Sequence, residues 1–421
     1  MHVGAKEYGP IVRINVFHRA SVIITSPELV KVFLLSPQYK KDARIYSKLQ
    51  SLFGERFLGR GLVSELDHEL WQKQRRILDL AFHRSYLTNS MGAINEKVKQ
   101  MMEILEAKAD GKTEVCMEDI IYSTVYAISA KILFGMELKS LFDEQKTFLL
   151  AIRNIIEGIT LADNPFSKFS LRKRKLINKT QESVRLLRQM GKEWIKYRRE
   201  AVQNGQEFPQ DVITQMLKGE AEEGINDEFM VDNFVTFLIA GSETSSNQIL
   251  LALMELQRHP KIVEQLHAEV DEVIGSKKII EYQDLGKLQY LSQVLKEILR
   301  LYPPVVGTVR WLEKDTVVDG ILIPGCTSLF VCLSFHNWLQ SKLGNGEDLG
   351  QGPNFAYFPF SLGPRSCIGQ YFSQMEVKVL MAKLFQRLEF QMVPGQSFGI
   401  LDSVTLKPKD GLVCTLKPWG S

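Results

Sequence analysis

Cys367 stands in the stretch YFPFSLGPRSCIGQYF (357–372), crowded with glycine, proline, arginine and aromatic residues. A free cysteine usually packs as a small buried hydrophobe. This setting points elsewhere. Arg365 supplies a fixed cation, Gly363 and Gly369 permit close approach or positive φ, and a helix expected to begin at Cys367 or just after it would aim backbone N–H groups at the sulfur. These conditions favour a thiolate, which serves as a nucleophile or a metal ligand. A nucleophile needs a base, and no histidine lies in this region, so a ligand is favoured.

Other polar groups stand where an apolar pattern would exclude them. Glu297 and Arg300 in LKEILRLYPP are three apart on a helix that stops before Pro303 and Pro304, with Glu297 on the apolar stripe beside Val294 and Leu301. A partly buried pair with a structural task is expected there. AGSETSSN (240–247) interrupts an apolar helix, and unsatisfied polar groups buried in that way cost ~1–3 kcal/mol each. Trp71 and Arg75 share a helix face in WQKQRR. With Arg310 and Arg365 they make a donor set suited to a dianionic cofactor carrying carboxylate arms.

These residues need a scaffold. The alternation at 11–16 and the β-branched run at 21–25 predict a hairpin, followed by a helix after Ser26-Pro27. Residues 43–65 read as a long loop. From about 67 to 340 nearly every long segment has helical period, with breaks near 109–113, 163–171, 204–209 and 218–226. The longest helix is expected from an Asn226 cap to about Arg258, ended by His259-Pro260, and would be about 50 Å long. Such a helix belongs at the centre of one large domain. Strands return around 311–332 and 388–417.

Composition sets outer limits. The 421 residues are 45% hydrophobic and 24% charged, which describes a globular chain able to bury a large core. A formal net charge of +3, with both signs interspersed, argues against a nucleic-acid partner. The five cysteines, Cys116, Cys326, Cys332, Cys367 and Cys414, lack paired CxxC spacing, which excludes a disulfide framework or zinc site as the working reading. No apolar run approaches the ~20 residues of a membrane span. The start, MHVGAKEYGP, lacks the layout of a signal peptide, and the chain as given is expected to carry no anchor or secretion signal of its own.

Taken together, the motifs resemble those of the cytochromes P450. The haem signature FxxGxRxCxG is matched by Phe360, Gly363, Arg365, Cys367 and Gly369, and ExxR by Glu297 and Arg300. AGx(E/D)T is matched by Ala240, Gly241, Glu243 and Thr244, and WxxxR by Trp71 and Arg75. The resemblance implies a mainly α fold with small β-sheets in a single large domain over 1–421. Its parts would be a β-rich N-terminal region at about 9–45, a helical core at about 67–310 and a haem-thiolate loop at 358–370. It further implies haem b on Cys367 and electrons from NADPH through NADPH-cytochrome P450 reductase. A sterol substrate, an endoplasmic reticulum membrane surface and a monomeric state complete the expectation.

By the same resemblance, Thr244 and Glu243 are the catalytic proton handlers, and Gly241 leaves room for dioxygen. Trp71, Arg75, Arg310 and Arg365 hold the propionates, and Phe360 packs beside the sulfur. Phe53, Phe57, Val305, Val306, Thr308 and Thr405 are the expected substrate contacts, with Lys73, Arg76 and Lys378 on the reductase side. The basic run KFSLRKRKLINK (168–179) is a solvated helix face or a site for acidic lipid head groups. One interval departs from the family pattern. Residues 331–356 contain no arginine to complete the Glu297–Arg300 network, which leaves open a paralogue that binds sterol or a partner without turnover.

Overall fold

The computed structural model describes residues 9–16, 19–138, 146–162, 171–333 and 357–420. Most of the arginine-free interval, 334–356, and the start of the basic run, 168–170, lie outside the described residues.

The expected hairpin is β1 (Ile11–Val16) against β2 (Arg19–Ile24), antiparallel, with Ile11 opposite Ile24. Ser26 then caps α1 (Pro27–Leu35) by accepting the Leu29 N–H, and Pro27 sits in the first turn, where its missing N–H costs nothing. The interval 43–65 is not one long loop. Its first part is helix α2 (Ala43–Gln50), whose first turn is held by the Asp42 carboxylate accepting the Arg44 N–H, and short strands β3 (Ser51–Leu52) and β4 (Glu55–Arg56) follow. Tyr46 is the only residue that α2 buries fully, too thin an apolar pattern to announce a helix.

The helical middle comprises α3 (His68–Asp79), α4 (Arg84–Asn89), α5 (Met91–Glu106), α6 (Met117–Phe134), α7 (Lys146–Ala162), α8 (Leu171–Gln203) and α9 (Val212–Glu223). It continues with α10 (Asp227–Leu256), α11 (Pro260–Val273), α12 (Tyr282–Lys287) and α13 (Gln289–Leu301). Helix α9 runs on through Glu223, into the break expected near 218–226, before Gly224 ends it at φ 66°. Strand β5 (Glu114–Cys116) was not legible, because its three residues pair with a strand near the C-terminus. Strands β6 (Gly307–Leu312), β7 (Thr316–Val318), β8 (Ile321–Ile323) and β9 (Thr327–Cys332) come next. After α14 (Gln370–Arg387) follow β10 (Leu388–Met392), β11 (Ile400–Ser403), β12 (Thr405–Pro408) and β13 (Val413–Pro418).

Backbone contacts gather the chain into two compact units. The first joins Met1–Ser47 to Lys296–Cys367. Its sheet has the order β1-β2-β9-β6, with β2 and β9 parallel and the other neighbours antiparallel. Phe33 and Val30 of α1 pack on Ile24, Leu329 and Val331 of the sheet, and Phe358 joins the same core. Full burial of each such side chain stabilises the unit by roughly 1.5–3 kcal/mol. Residues 40–42 are laced to β6: the Trp311 N–H donates to the Lys40 carbonyl at 2.9 Å and the Asp42 N–H to that of Val309 at 3.3 Å.

The second unit joins Lys48–Leu295 to Ile368–Ser421. Helix α10 is buried along almost its whole length and packs against α6, α8, α14 and β12. Asp232, fully buried on α10, fastens the segment after β4: it accepts from Arg56, from the Arg60 N–H at 2.7 Å and from Arg188 at 2.7 Å. A three-stranded sheet, β10-β13-β5, and the hairpin β11-β12 complete the unit.

Candidate functional site

In the first unit the cysteine loop is shaped by its own backbone. The Cys367 N–H donates to the Phe360 carbonyl at 2.9 Å, and the Ser366 N–H to that of Gly363 at 3.0 Å. Gly363 has φ 74°, and a β-carbon there would lie 2.5 Å from the Leu34 carbonyl oxygen, so only glycine lets the loop pack on the end of α1. Cys367 is exposed and Phe360 and Arg365 are half-buried. Gly369, at φ −87°, is the N-cap of α14, which starts just after Cys367, at Gln370.

Three cations of the first unit converge. Lys41 bridges to Arg310 across the strand edge. Burial pushes its ammonium well below the usual lysine range, and the charges of Arg365 and Arg310 push the same way. Arg310 is itself held below its ordinary range by burial, with Tyr46 opposing. Thr308 shares a 2.8 Å hydrogen bond with the Tyr46 hydroxyl and accepts from Arg310 at 3.0 Å. Its hydroxyl therefore serves the cation group. Glu297 and Arg300 form a two-pronged pair in which Arg300 is buried, one bond being 2.6 Å. Val305 is exposed and Val306 half-buried just before β6.

In the second unit, α10 starts at the Asn226 cap, which accepts the Phe229 N–H at 2.9 Å. Midway, the otherwise buried helix opens: Ala240 is exposed, and Ile239, Gly241 and Thr244 are half-buried. The Thr244 hydroxyl donates to the Ala240 carbonyl at 2.9 Å. A β-carbon on Gly241 would meet Ser129 Oγ at 3.1 Å and Leu133 at 3.4 Å. The glycine thus admits close approach of α6.

Glu243 is buried in a closed network. Its Oε1 accepts from Thr405 Oγ1 at 2.9 Å and from Asn247 Nδ2 at 3.2 Å, and Tyr122 donates to Asn247 Oδ1 at 2.8 Å. Burial raises the Tyr122 phenol well above its usual range, with the Glu243 charge acting in the same direction. Thr405 is therefore a buried partner of Glu243. Phe57 is likewise a core side chain, 1% exposed, whereas Phe53 is half-buried at φ 52° with its carbonyl accepting from Gln181. Trp71 is buried and stacks on His68 at 5.6 Å, and Arg75 bonds Asp79 at 2.7 Å. Lys73 and Arg76 share Glu223, and Lys378 donates to the Leu285 carbonyl at 3.0 Å.

A sequence profile of the cytochrome P450 family matches residues 1–415. The chain belongs to the cytochrome P450 family. Among similar proteins are Cytochrome P450 4d2 of Drosophila melanogaster (26% identical, covering 98% of this chain and 87% of the relative) and Protein LUTEIN DEFICIENT 5, chloroplastic, of Arabidopsis thaliana (28%, 97% and 72%). An 11-oxo-beta-amyrin 30-oxidase of Glycyrrhiza uralensis is 26% identical over 93% of this chain and 77% of its own length. This P450 has the fold class of the family, mainly helical with small sheets, and is a monooxygenase whose family membership implies haem.

The residues of this P450 fit that group. Lys41, Arg310 and Arg365 stand together, Arg310 buried and the other two half-buried, and an anion with carboxylate arms suits three like charges so placed. Sequence reading found the two arginines and missed Lys41, whose segment YKKDARIY offers no motif. It also missed Asn247 and Tyr122 as partners of Glu243. The polar interruption AGSETSSN was the available signal for Asn247, and nothing in the sequence marked Tyr122.

Proposed function

We propose that this P450 hydroxylates a sterol, specifically the cholesterol side chain at its 24-position, using O2 and electrons passed from NADPH by NADPH-cytochrome P450 reductase. The observation that carries this reading is sequence resemblance to a vertebrate cholesterol 24-hydroxylase. It extends through GLVSE, ILEAKADGKT, DNFVTFLIAGSETS, LHAEVDEVIGSKK and CIGQYFSQMEVKVLMAKLFQRLEF. Haem b bound through the Cys367 thiolate supplies the dioxygen-activating chemistry, as it does in cytochromes P450 generally. Arg310, Arg365 and Lys41 would hold its carboxylate arms.

Thr244 Oγ1 hands on a proton at the open face of α10, and the Glu243 carboxylate replenishes it. Phe53 and Ala240 in the second unit, and Val305 and Val306 in the first, are apolar side chains of the kind a sterol contact uses. Arg174, Lys175 and Lys179 are exposed on α8 and would meet acidic head groups at the endoplasmic reticulum surface, where the protein would work as a monomer. The arginine-free 331–356 interval favours a second reading, sterol or partner binding without turnover.

One set of measurements separates the two. The protein is expressed with a haem precursor, reduced and exposed to carbon monoxide, and the red-shifted thiolate–haem band is expected. Its absence sinks the monooxygenase reading for this chain. With the band present, reductase and NADPH should convert cholesterol to a 24-hydroxylated product, and Thr244→Ala should lower product per oxygen consumed several-fold.

A further inference from the structure

Two observations in the second unit lie beyond the motif residues. The first is that Glu243 is tied to a different element from its own. Thr405 Oγ1, on β12, donates to Glu243 Oε1 at 2.9 Å and accepts from Asn247 Nδ2 at 3.0 Å. Tyr122 donates to the other end of that amide, which leaves Asn247 Nδ2 facing Glu243 and Thr405. All four side chains are buried. The carboxylate is held onto the hairpin, and Thr244 is meanwhile bonded to its own helix at Ala240.

The second observation is the turn that carries Thr405. Ser403 pairs directly with Thr405, so Val404 alone makes the turn between β11 and β12. Its φ is 71°, a left-handed value that a β-branched side chain rarely adopts, and it is 41% exposed. A strained apolar tip is thereby joined through one residue to the hydrogen bond on Glu243.

We propose that the β11-β12 hairpin is a latch on Glu243, with Thr405 as its positioning residue. The hairpin holds the carboxylate until an apolar substrate presses on Val404 and shifts β12. The inference rests on the monooxygenase reading above and adds its regulation. Breaking the Thr405–Glu243 bond frees the carboxylate to turn toward Thr244, so proton delivery waits for substrate and oxygen is not consumed without it.

The test uses the haem-loaded protein with Thr405→Val, which removes the donor at nearly constant shape, and Thr405→Ser, which keeps it. In the absence of sterol, Thr405→Val should show several-fold faster NADPH and oxygen consumption with peroxide release. It should also show several-fold faster amide hydrogen exchange over residues 405–407. Thr405→Ser should match the unaltered protein in both. The latch is overturned if Thr405→Val leaves substrate-free oxygen consumption unchanged, whatever the exchange shows, or if Thr405→Ser behaves as Thr405→Val does. The carbon monoxide band, recorded on the same preparations, keeps a failed latch distinct from a failed monooxygenase.

Discussion

Glu376 of α14 is fully buried, and neither of its carboxyl oxygens has a hydrogen-bond partner among the described residues. The nearby Ser245 hydroxyl is shared with Ser373 at 3.0 Å instead. Burial pushes the carboxyl well above its usual 4.5, with Ser245 pulling only weakly the other way. A group raised in this way is protonated in the fold. Its contribution to stability is complete below the unfolded value and is lost as pH rises toward the folded one. Glu376→Gln cannot titrate, so it should melt at a higher temperature than the parent at about pH 7.5, with the gap closing as pH falls toward 4.5. A gap independent of pH would show that Glu376 is not a neutral acid. Nothing in the local pattern marks this group, because an acid on a helix reads as solvent-facing until a second helix covers it.

At the scale of elements, α8 is tied to α9 by the ion pair of Arg199 with Glu220 at 2.9 Å and, at the start of α9, by a fully buried one. Arg198 and Asp211 are both fully buried, with bonds of 2.9 and 3.1 Å, and Arg198 also donates to the Phe134 carbonyl at 2.7 Å. Asp211 has a second task as the N-cap of α9, accepting the Thr214 N–H at 2.9 Å. Asp211→Ala removes the cap and strands a buried guanidinium, so chemical denaturation should show a loss of about 3–5 kcal/mol. Asp211→Asn keeps the cap and should recover part of that loss. The helices themselves were legible from period, as α10 was from Asn226 to the His259-Pro260 stop. The helical start of the 43–65 interval was not, since α2 rests on an Asp42 cap and on a backbone laced to β6 rather than on its own apolar pattern.

For the whole molecule, cofactor and stability are linked through Lys41. Its half-buried ammonium stands beside Arg310 and Arg365, a like-charge arrangement that haem carboxylates would relieve. Lys41→Met should therefore raise the melting temperature of the haem-free protein while weakening haem retention about tenfold, the size of one charge-assisted hydrogen bond of ~1.5 kcal/mol. Thermal melts without haem and haem transfer to an acceptor globin read the two effects separately. If both change in the same direction, Lys41 does not serve the carboxylates.

The sequence alone marked the residues proposed to bear chemistry, because the cysteine loop, the acid–threonine pair and the ExxR pair are local spacings written on single elements. It also determined the class of fold, because helical period and strand alternation are properties of one segment at a time. Tertiary structure decided which of those residues are already engaged. Thr405 and Glu243 are 162 residues apart and meet because β12 packs on α10. Thr308 joins Arg310 and Tyr46, and Lys41 reaches the cations, because residues 40–42 are laced to β6. Such partnerships form when distant segments bury polar groups together, and the need to satisfy those groups appears only once water has been excluded.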